Sequence, residues 1–128
     1  MKRVLFICVG NAARSQIAEG WFNHLANEKA SAESAGSKPA GSVSSKAIRV
    51  MGEAGIDISS HTSKALTLDA IERADYIITM GCHEACPATN KPVQDWGLPD
   101  PIGKDIKSYR ELRDRIKKKV QGLIASMG

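Results

Sequence analysis

A short apolar run near the start of the chain, followed at once by helical spacing, limits the folds open to this sequence. Residues 2–9 form a nearly continuous apolar run of the kind that is buried in a parallel sheet, and Gly10 and Asn11 end it. From Ala13 to Asn27, apolar side chains recur every three or four positions. The chain therefore begins with a buried strand that leads through a tight loop into a helix.

The same alternation continues towards the C-terminus. Three further strands are predicted, at residues 31–35, 76–80 and 92–96. Three further helices are predicted, at residues 44–54, at residues 67–73 with Thr67 as N-cap, and from Ser108 onward, where Ser108 to Glu111 has the pattern of a capping box. Strands that alternate with helices predict a parallel α/β sheet, in which ligands bind beyond the carboxyl ends of the strands.

Length and composition favour one small domain. The chain has 128 residues, of which 42% are hydrophobic, and we expect residues 1–128 to form a single domain and a monomer. No run is long enough to span a membrane, and residues 4–9 are too short for an export signal, so we expect a cytoplasmic protein. The net charge is +4, but only 5% of residues are aromatic, and acidic residues interrupt the basic stretch at 110–119. We therefore expect attraction for small anions and no nucleic-acid partner.

The number of cysteines indicates a chemical role for them. There are three, Cys8, Cys82 and Cys86, and an odd number in a reducing compartment is a poor disulfide framework. Catalysis, redox chemistry and metal binding remain open. For a zinc site, Cys82, His83 and Cys86 would need a further ligand from Cys8 or a distant histidine, so we favour redox chemistry and expect no metal.

The loop between the first strand and the first helix has a cysteine, five residues, an arginine and a serine. Its sequence is Cys8-Val9-Gly10-Asn11-Ala12-Ala13-Arg14-Ser15. A loop of this length at a helix N-terminus can turn its backbone N–H groups inward as a cradle for an oxyanion. Gly10 and Asn11 tolerate positive φ, and the two alanines keep bulky side chains out.

Three side chains of this loop suit nucleophilic attack on a tetrahedral oxyanion. The Arg14 fork can grip two oxygens of the anion. A guanidinium and a helix N-terminus favour the thiolate form of Cys8, and the Ser15 hydroxyl can donate a hydrogen bond to the sulfur. The alternative is that Cys8 is a small buried hydrophobe and Arg14 a surface residue, but the spacing and the strand-to-helix placement favour the oxyanion site. A nucleotide-binding P-loop is excluded because its Gly-Lys-Ser/Thr ending is missing.

The segments Val4 to Cys8 and Arg14 to Gly20 resemble the low-molecular-weight protein tyrosine phosphatase superfamily and, within it, the thioredoxin-coupled arsenate reductases. The likeness extends over nearly the whole chain and includes Glu33 to Gly36, Gly55 to Ile58, Asp75 to Cys86, and Trp96 through Asp100-Pro101. The resemblance implies a three-layer α/β fold with a four-stranded parallel sheet flanked by helices.

The resemblance also implies roles for individual residues. Cys8 attacks arsenate and Asp100 protonates the leaving oxygen. Cys82 then attacks Cys8 and releases arsenite, and Cys86 resolves Cys82 to give a disulfide that thioredoxin reduces. Phosphate or sulfate would compete with arsenate, and no tightly bound cofactor is implied. The shorter Cys-x-x-x-Cys spacing leaves the order of attack open, and glutaredoxin or a small thiol remain alternative electron donors.

Two other functions use the same loop. One is a phosphatase that hydrolyses phosphate monoesters, although Ile102-Gly103 stands where tyrosine phosphatases usually carry tyrosines. The other is a thiol-based oxyanion sensor without turnover. Some relatives also bind potassium through Asn, Glu, Ser and Asp. Asn11, Glu19 and Ser34 match, but Lys64 stands near the expected acid, which argues against a monovalent cation site and suggests that its ammonium takes the cation's place.

Overall fold

The computed structural model describes residues 2–26, 28–81 and 89–127. Its strands are β1 (Lys2–Cys8), β2 (Ala30–Gly36), β3 (Tyr76–Thr79) and β4 (Val93–Asp95). Its helices are α1 (Arg14–Leu25), α2 (Ser45–Glu53), α3 (Leu68–Arg73) and α4 (Ile106–Ser126). Every strand and helix predicted from the sequence is present, with boundaries within one or two residues except at the start of α4.

The four strands form one parallel sheet in the order β2-β1-β3-β4. The central pair is β1 and β3, with Ile7 opposite Thr79 in register. Because all strands are parallel, their carboxyl ends lie along the same edge of the sheet. Cys8, the residues after Thr79 and the residues after Asp95 therefore meet at that edge.

The sheet separates two apolar layers, as the predicted three-layer architecture requires. Alternate residues of β1 point to opposite faces: Val4 and Phe6 join the larger cluster, and Leu5 and Ile7 the smaller one. Helices α1, α2 and α4 pack on the larger face and α3 on the smaller. The α/β fold with a four-stranded parallel sheet flanked by helices is thus confirmed.

The helix ends agree with the sequence at three places and differ at a fourth. Thr67 caps α3 and Ser44 caps α2, each accepting a hydrogen bond from a backbone N–H three residues on, and Gly55, with φ of 83°, follows the end of α2. The predicted start of the last helix at Ser108 is wrong. Asp105 caps that helix: its carboxylate accepts from the Ser108 N–H at 3.0 Å and from the Ser108 hydroxyl at 2.9 Å. These bonds lower the pKa of Asp105, so its charged form is the stronger cap.

Within the described ranges, no helix is long and apolar enough to cross a membrane.

Candidate active site

The loop from Cys8 to Ser15, called the anion loop below, turns its carbonyl oxygens away from its centre. Their hydrogen bonds to backbone N–H groups outside the loop show this: Val9 accepts from Lys38 at 2.9 Å, Gly10 from Ala40 at 2.9 Å, and Ala12 from Ser44 at 2.8 Å. When peptide carbonyls face outward, their N–H groups face the concave side. The Asn11 N–H accordingly points at the Cys8 sulfur, 3.1 Å away. The amides of the loop therefore face inward, as the sequence predicts for a loop at this position.

The end of β2 closes one side of this loop and requires a glycine. A Cβ atom on Gly36 would lie 2.6 Å from the Val9 carbonyl oxygen and 3.0 Å from the Asn11 backbone nitrogen. No side chain fits at such distances. Gly36 therefore lets β2 lie directly against the anion loop.

Hydrogen bonds hold the Ser15 hydroxyl beside the Cys8 sulfur. Asn11 Oδ1 accepts from the Lys64 backbone N–H at 2.8 Å, which sets the orientation of the amide. Its Nδ2 therefore donates to Ser15 Oγ, at 2.7 Å. Ser15 Oγ also lies 2.9 Å from Cys8 Sγ, and when Cys8 is the thiolate that nucleophilic attack requires, the hydroxyl is the donor of this hydrogen bond. The buried sulfur thus lies within hydrogen-bond distance of two polar groups, the Asn11 N–H and the Ser15 hydroxyl.

Asn11 has positive φ, at 48°, as the sequence suggested for this loop position. A second layer of side chains supports it: Gln16 Nε2 donates to Asn11 Oδ1 at 3.0 Å, and Gln16 Oε1 is 3.0 Å from His61 Nδ1. His61 is therefore part of the polar support behind the anion loop. His61 lies 45 positions from Gln16, so no local pattern could have revealed this contact.

Arg14 lies at the mouth of the loop with one terminal nitrogen fully occupied. Its Nη1 donates to the carbonyl oxygens of Met80, at 3.2 Å, and Leu98, at 3.0 Å. Its Nη2 lies 3.8 Å from a carboxylate oxygen of Asp100. Although Arg14 is charged, its side chain is only 9% exposed. The alternative that Arg14 is a surface residue does not fit this environment.

Asp100 occupies an exposed turn at the same edge of the sheet. Its side chain is 55% exposed, and its Oδ1 accepts from the Ile102 N–H at 3.0 Å. The chain reaches this turn from β4 through Leu98, whose N–H donates to the Met80 carbonyl at 2.8 Å. The structure therefore brings Asp100 to Arg14, although the two are far apart in the sequence.

Behind the loop, the Glu19 carboxylate is 12% exposed and has three polar neighbours. The Ser34 hydroxyl donates to it at 2.6 Å, His61 Nδ1 lies at 3.4 Å, and Lys64 Nζ lies at 3.9 Å. The ammonium of Lys64 thus lies beside Glu19, one of the residues that match the potassium ligands of some relatives. Within residues 2–26, 28–81 and 89–127, no three His, Cys, Asp or Glu side chains form a metal-binding group.

Other predicted residues have different positions. Cys82 and Cys86, and His83 between them, lie outside the described residues. Trp96 packs in the core, its ring centroid 5.6 Å from that of Phe6, and Trp21 is buried in α1.

These observations define a class of protein: a parallel α/β domain with a buried cysteine in a loop of inward-facing amides, an arginine at the mouth and an aspartate on a neighbouring turn. The profile of the low molecular weight phosphotyrosine protein phosphatase family matches residues 3–128, and the chain belongs to that family.

Similar proteins within and around this family include arsenate reductases. Arsenate reductase 1 of Staphylococcus haemolyticus is 41% identical over 125 residues, which cover 94% of this chain and 92% of that protein. A solved structure of an arsenate reductase in the phosphate binding state has a TM-score of 0.90 and 34% identity, with 100% of both chains covered. The thioredoxin-dependent arsenate reductase of Corynebacterium glutamicum has a TM-score of 0.85 and 38% identity, covering 98% of this chain and 61% of that one.

Proposed function

We propose that this protein reduces arsenate to arsenite through Cys8, Cys82 and Cys86, with thioredoxin as the electron donor. The observation that carries the first step is the Cys8 sulfur, held by the Asn11 N–H and the Ser15 hydroxyl inside a loop whose carbonyls face outward. Similarity to arsenate reductases supports the choice of oxyanion, and the name of the Corynebacterium relative supports thioredoxin.

The first step uses groups of the described site. The Cys8 thiolate attacks arsenic(V), and Asp100 supplies the proton with which an arsenate oxygen leaves as water. Arg14 and the inward-facing N–H groups stabilise the charge on the remaining oxygens. The product is a Cys8 thioester of arsenic(V).

The second step transfers electrons. The Cys82 thiolate attacks the Cys8 sulfur, the sulfur–arsenic bond breaks, and its electron pair leaves with arsenic, which becomes arsenic(III) in arsenite. Cys86 then attacks Cys82, which frees Cys8 and forms the Cys82–Cys86 disulfide. A thioredoxin dithiol reduces that disulfide and is itself oxidised. A relay of this kind operates in a reducing compartment, which is why we propose the cytoplasm.

The position of β3 supports a partner thiol for Cys8. The Met80 N–H donates to the Ile7 carbonyl at 2.9 Å, so the chain leaves β3 beside the start of the anion loop. In the sequence, Gly81 and then Cys82 follow.

The aromatic residues argue against an aryl phosphatase. The chain has two each of Phe, Trp and Tyr. All except Tyr76 are buried, and Tyr76 begins β3, at the opposite edge of the sheet from Cys8. In the part of the chain that the structure describes, no exposed aromatic ring stands at the mouth of the site to hold a phenyl group. A small inorganic oxyanion needs no such ring.

The decisive experiment is arsenate-dependent NADPH oxidation by the purified protein with thioredoxin and thioredoxin reductase. We expect turnover with the wild-type protein and none with Cys8→Ser. Turnover only when glutaredoxin and glutathione replace thioredoxin would identify glutaredoxin as the electron donor. Efficient hydrolysis of an aryl phosphate without arsenate turnover would identify a phosphatase, and stoichiometric arsenite binding without turnover a sensor.

Single-turnover experiments with the other two cysteines test the order of the relay. Cys86→Ser should release about one arsenite per protein and stop at the Cys8–Cys82 disulfide, because the attack on Cys8 does not need Cys86. Cys82→Ser should release none. The reverse result would assign the first attack to Cys86, and full multiple turnover by either variant would contradict the relay.

A further inference from the structure

The contacts of Arg14 determine which of its nitrogens face the anion. A guanidinium has five N–H groups, two of them on Nη1. In this structure both Nη1 hydrogens have acceptors, the carbonyl oxygens of Met80 and Leu98. Only Nε and Nη2 are left for an oxyanion, and these two present the planar fork that binds two oxygens at once.

Gly81 forms the wall against which this guanidinium rests. A Cβ atom on Gly81 would lie 3.3 Å from Arg14 Nη1 and 3.7 Å from the Leu98 carbonyl oxygen. The first distance is shorter than a methyl group and a guanidinium nitrogen normally allow, and Nη1 has little freedom to move because two carbonyls hold it. Gly81 also has φ of +152°, within the region that favours glycine.

We propose that Gly81 is a positioning residue for oxyanion binding: because it lacks a side chain, Arg14 seats Nη1 on the Met80 and Leu98 carbonyls and turns Nε and Nη2 towards the anion. The inference rests on the proposed oxyanion chemistry of the anion loop and adds a determinant outside that loop. Gly81 immediately precedes Cys82 in the sequence, so the residue that Arg14 contacts is the neighbour of the second proposed cysteine.

The test compares Gly81→Ala with Gly55→Ala. Gly55 also has positive φ, +83°, but its Cβ direction is open space, so this control replaces a positive-φ glycine without creating the contact. The probe is inorganic phosphate, and the readout is the protection of Cys8 from iodoacetamide, followed by mass spectrometry of the Cys8 peptide. This readout needs neither arsenate turnover nor thioredoxin.

We expect Gly81→Ala to bind phosphate roughly tenfold more weakly, as distortion of one charge-assisted hydrogen bond would cause. The alkylation rate without phosphate serves as each variant's own reference, because displacement of the Arg14 guanidinium also changes the electrostatic surroundings of Cys8. Gly55→Ala should match the wild type in both measurements. Wild-type phosphate affinity in Gly81→Ala, or an equal loss in both variants, would overturn the inference.

A measurement on the wild-type protein keeps the inference testable if Gly81→Ala does not fold. In NMR spectra of the Arg14 guanidinium, phosphate should shift the Nε and Nη2 signals and leave Nη1 nearly unchanged. A dominant response at Nη1 would contradict the proposed seating. If both phosphate experiments succeed but arsenate is not reduced, the reductase proposal fails and the role of Gly81 stands.

Discussion

Asn11 shapes the anion loop through its backbone and through both ends of its side chain. Its φ of 48° costs a residue with an ordinary Cβ about 1 kcal/mol, which asparagine tolerates better than most residues. Its Oδ1 accepts from the Lys64 N–H, and its Nδ2 donates to Ser15 Oγ, which holds the hydroxyl beside the sulfur. Conformation and hydrogen bonding therefore depend on the same residue.

We expect Asn11→Ala to lower the free energy of unfolding by roughly 2 kcal/mol, because it adds backbone strain and leaves a part-buried N–H unpaired. Alkylation of Cys8 by iodoacetamide should also slow, since Ser15 is no longer oriented towards the sulfur. Urea denaturation and the alkylation rate measure the two effects. Glu28→Ala is the control, because Glu28 also has positive φ, 68°, but is exposed. Equal losses in the two variants would mean that backbone strain alone accounts for the effect.

At the scale of elements, Lys91 connects the short helix α3 to the segment that leads into β4 through hydrogen bonds. Its ammonium donates to three carbonyl oxygens at the end of that helix: Ile71 at 2.7 Å, Ala74 at 2.8 Å, and Glu72. The last carbonyls of a helix have no partner within the helix and attract cations. One side chain therefore adds a charged donor at the C-terminal end of this six-residue helix, beside the backbone bond from the Ala74 N–H to the Ile71 carbonyl.

Replacing Lys91 by methionine keeps the aliphatic stem and removes the donors. We expect a loss of about 1 kcal/mol in the free energy of unfolding, since the α3 carbonyls lose a charged partner. The unliganded alkylation rate of Cys8 should stay unchanged, because α3 packs on the other face of the sheet. Lys118→Met, at an exposed position of α4, is the matched control in the same urea titration. A Lys91→Met variant as stable as that control would show that the cap contributes nothing.

The sequence predicts elements well where burial dominates and poorly where local bonds compete. β1 and β3 are recognisable because strands buried on both faces are continuously apolar. The start of α4 was misplaced because Asp105 and Ser108 are both good caps, and only the structure shows which accepts. The anion loop can be predicted because its reactive residues lie within eight consecutive positions. The contacts of Arg14 with Met80 and Leu98 cannot, because they join residues 66 and 84 positions apart. Such long-range contacts leave no local signal.

At the scale of the whole molecule, an ion-pair cluster joins the helices that cover the larger face of the sheet. Glu53, the last residue of α2, accepts from Arg110 Nη2 at 2.8 Å and from Arg113 Nη1 at 3.1 Å, both on α4. Arg113 also donates to the Val50 carbonyl at 3.0 Å, and its own carbonyl accepts from the Trp21 indole at 3.1 Å. Through these contacts α1, α2 and α4 are held as one layer behind the anion loop.

This cluster makes part of the stability depend on pH. The hydrogen bond from Arg110, with the charges of both arginines, lowers the pKa of Glu53 from 4.5 to about 2. A carboxyl group whose pKa is lower in the folded state stabilises the fold above its unfolded pKa, and this contribution is lost as pH falls towards the folded pKa. The Glu53 contribution should thus be complete above about pH 5 and decline from there towards pH 2.

We therefore expect Glu53→Gln to be less stable than the wild type at pH 7, with a difference that shrinks steadily as the pH falls below 5. Urea midpoints at pH 7, 5, 4 and 3 measure this, and added salt should reduce the difference at pH 7 because the pair is at the surface. Glu111→Gln, at an exposed position of α4, serves as the control. A difference that stayed constant across this pH range would mean that Glu53 acts through packing or neutral hydrogen bonds, and that its charge does not hold the helical layer together.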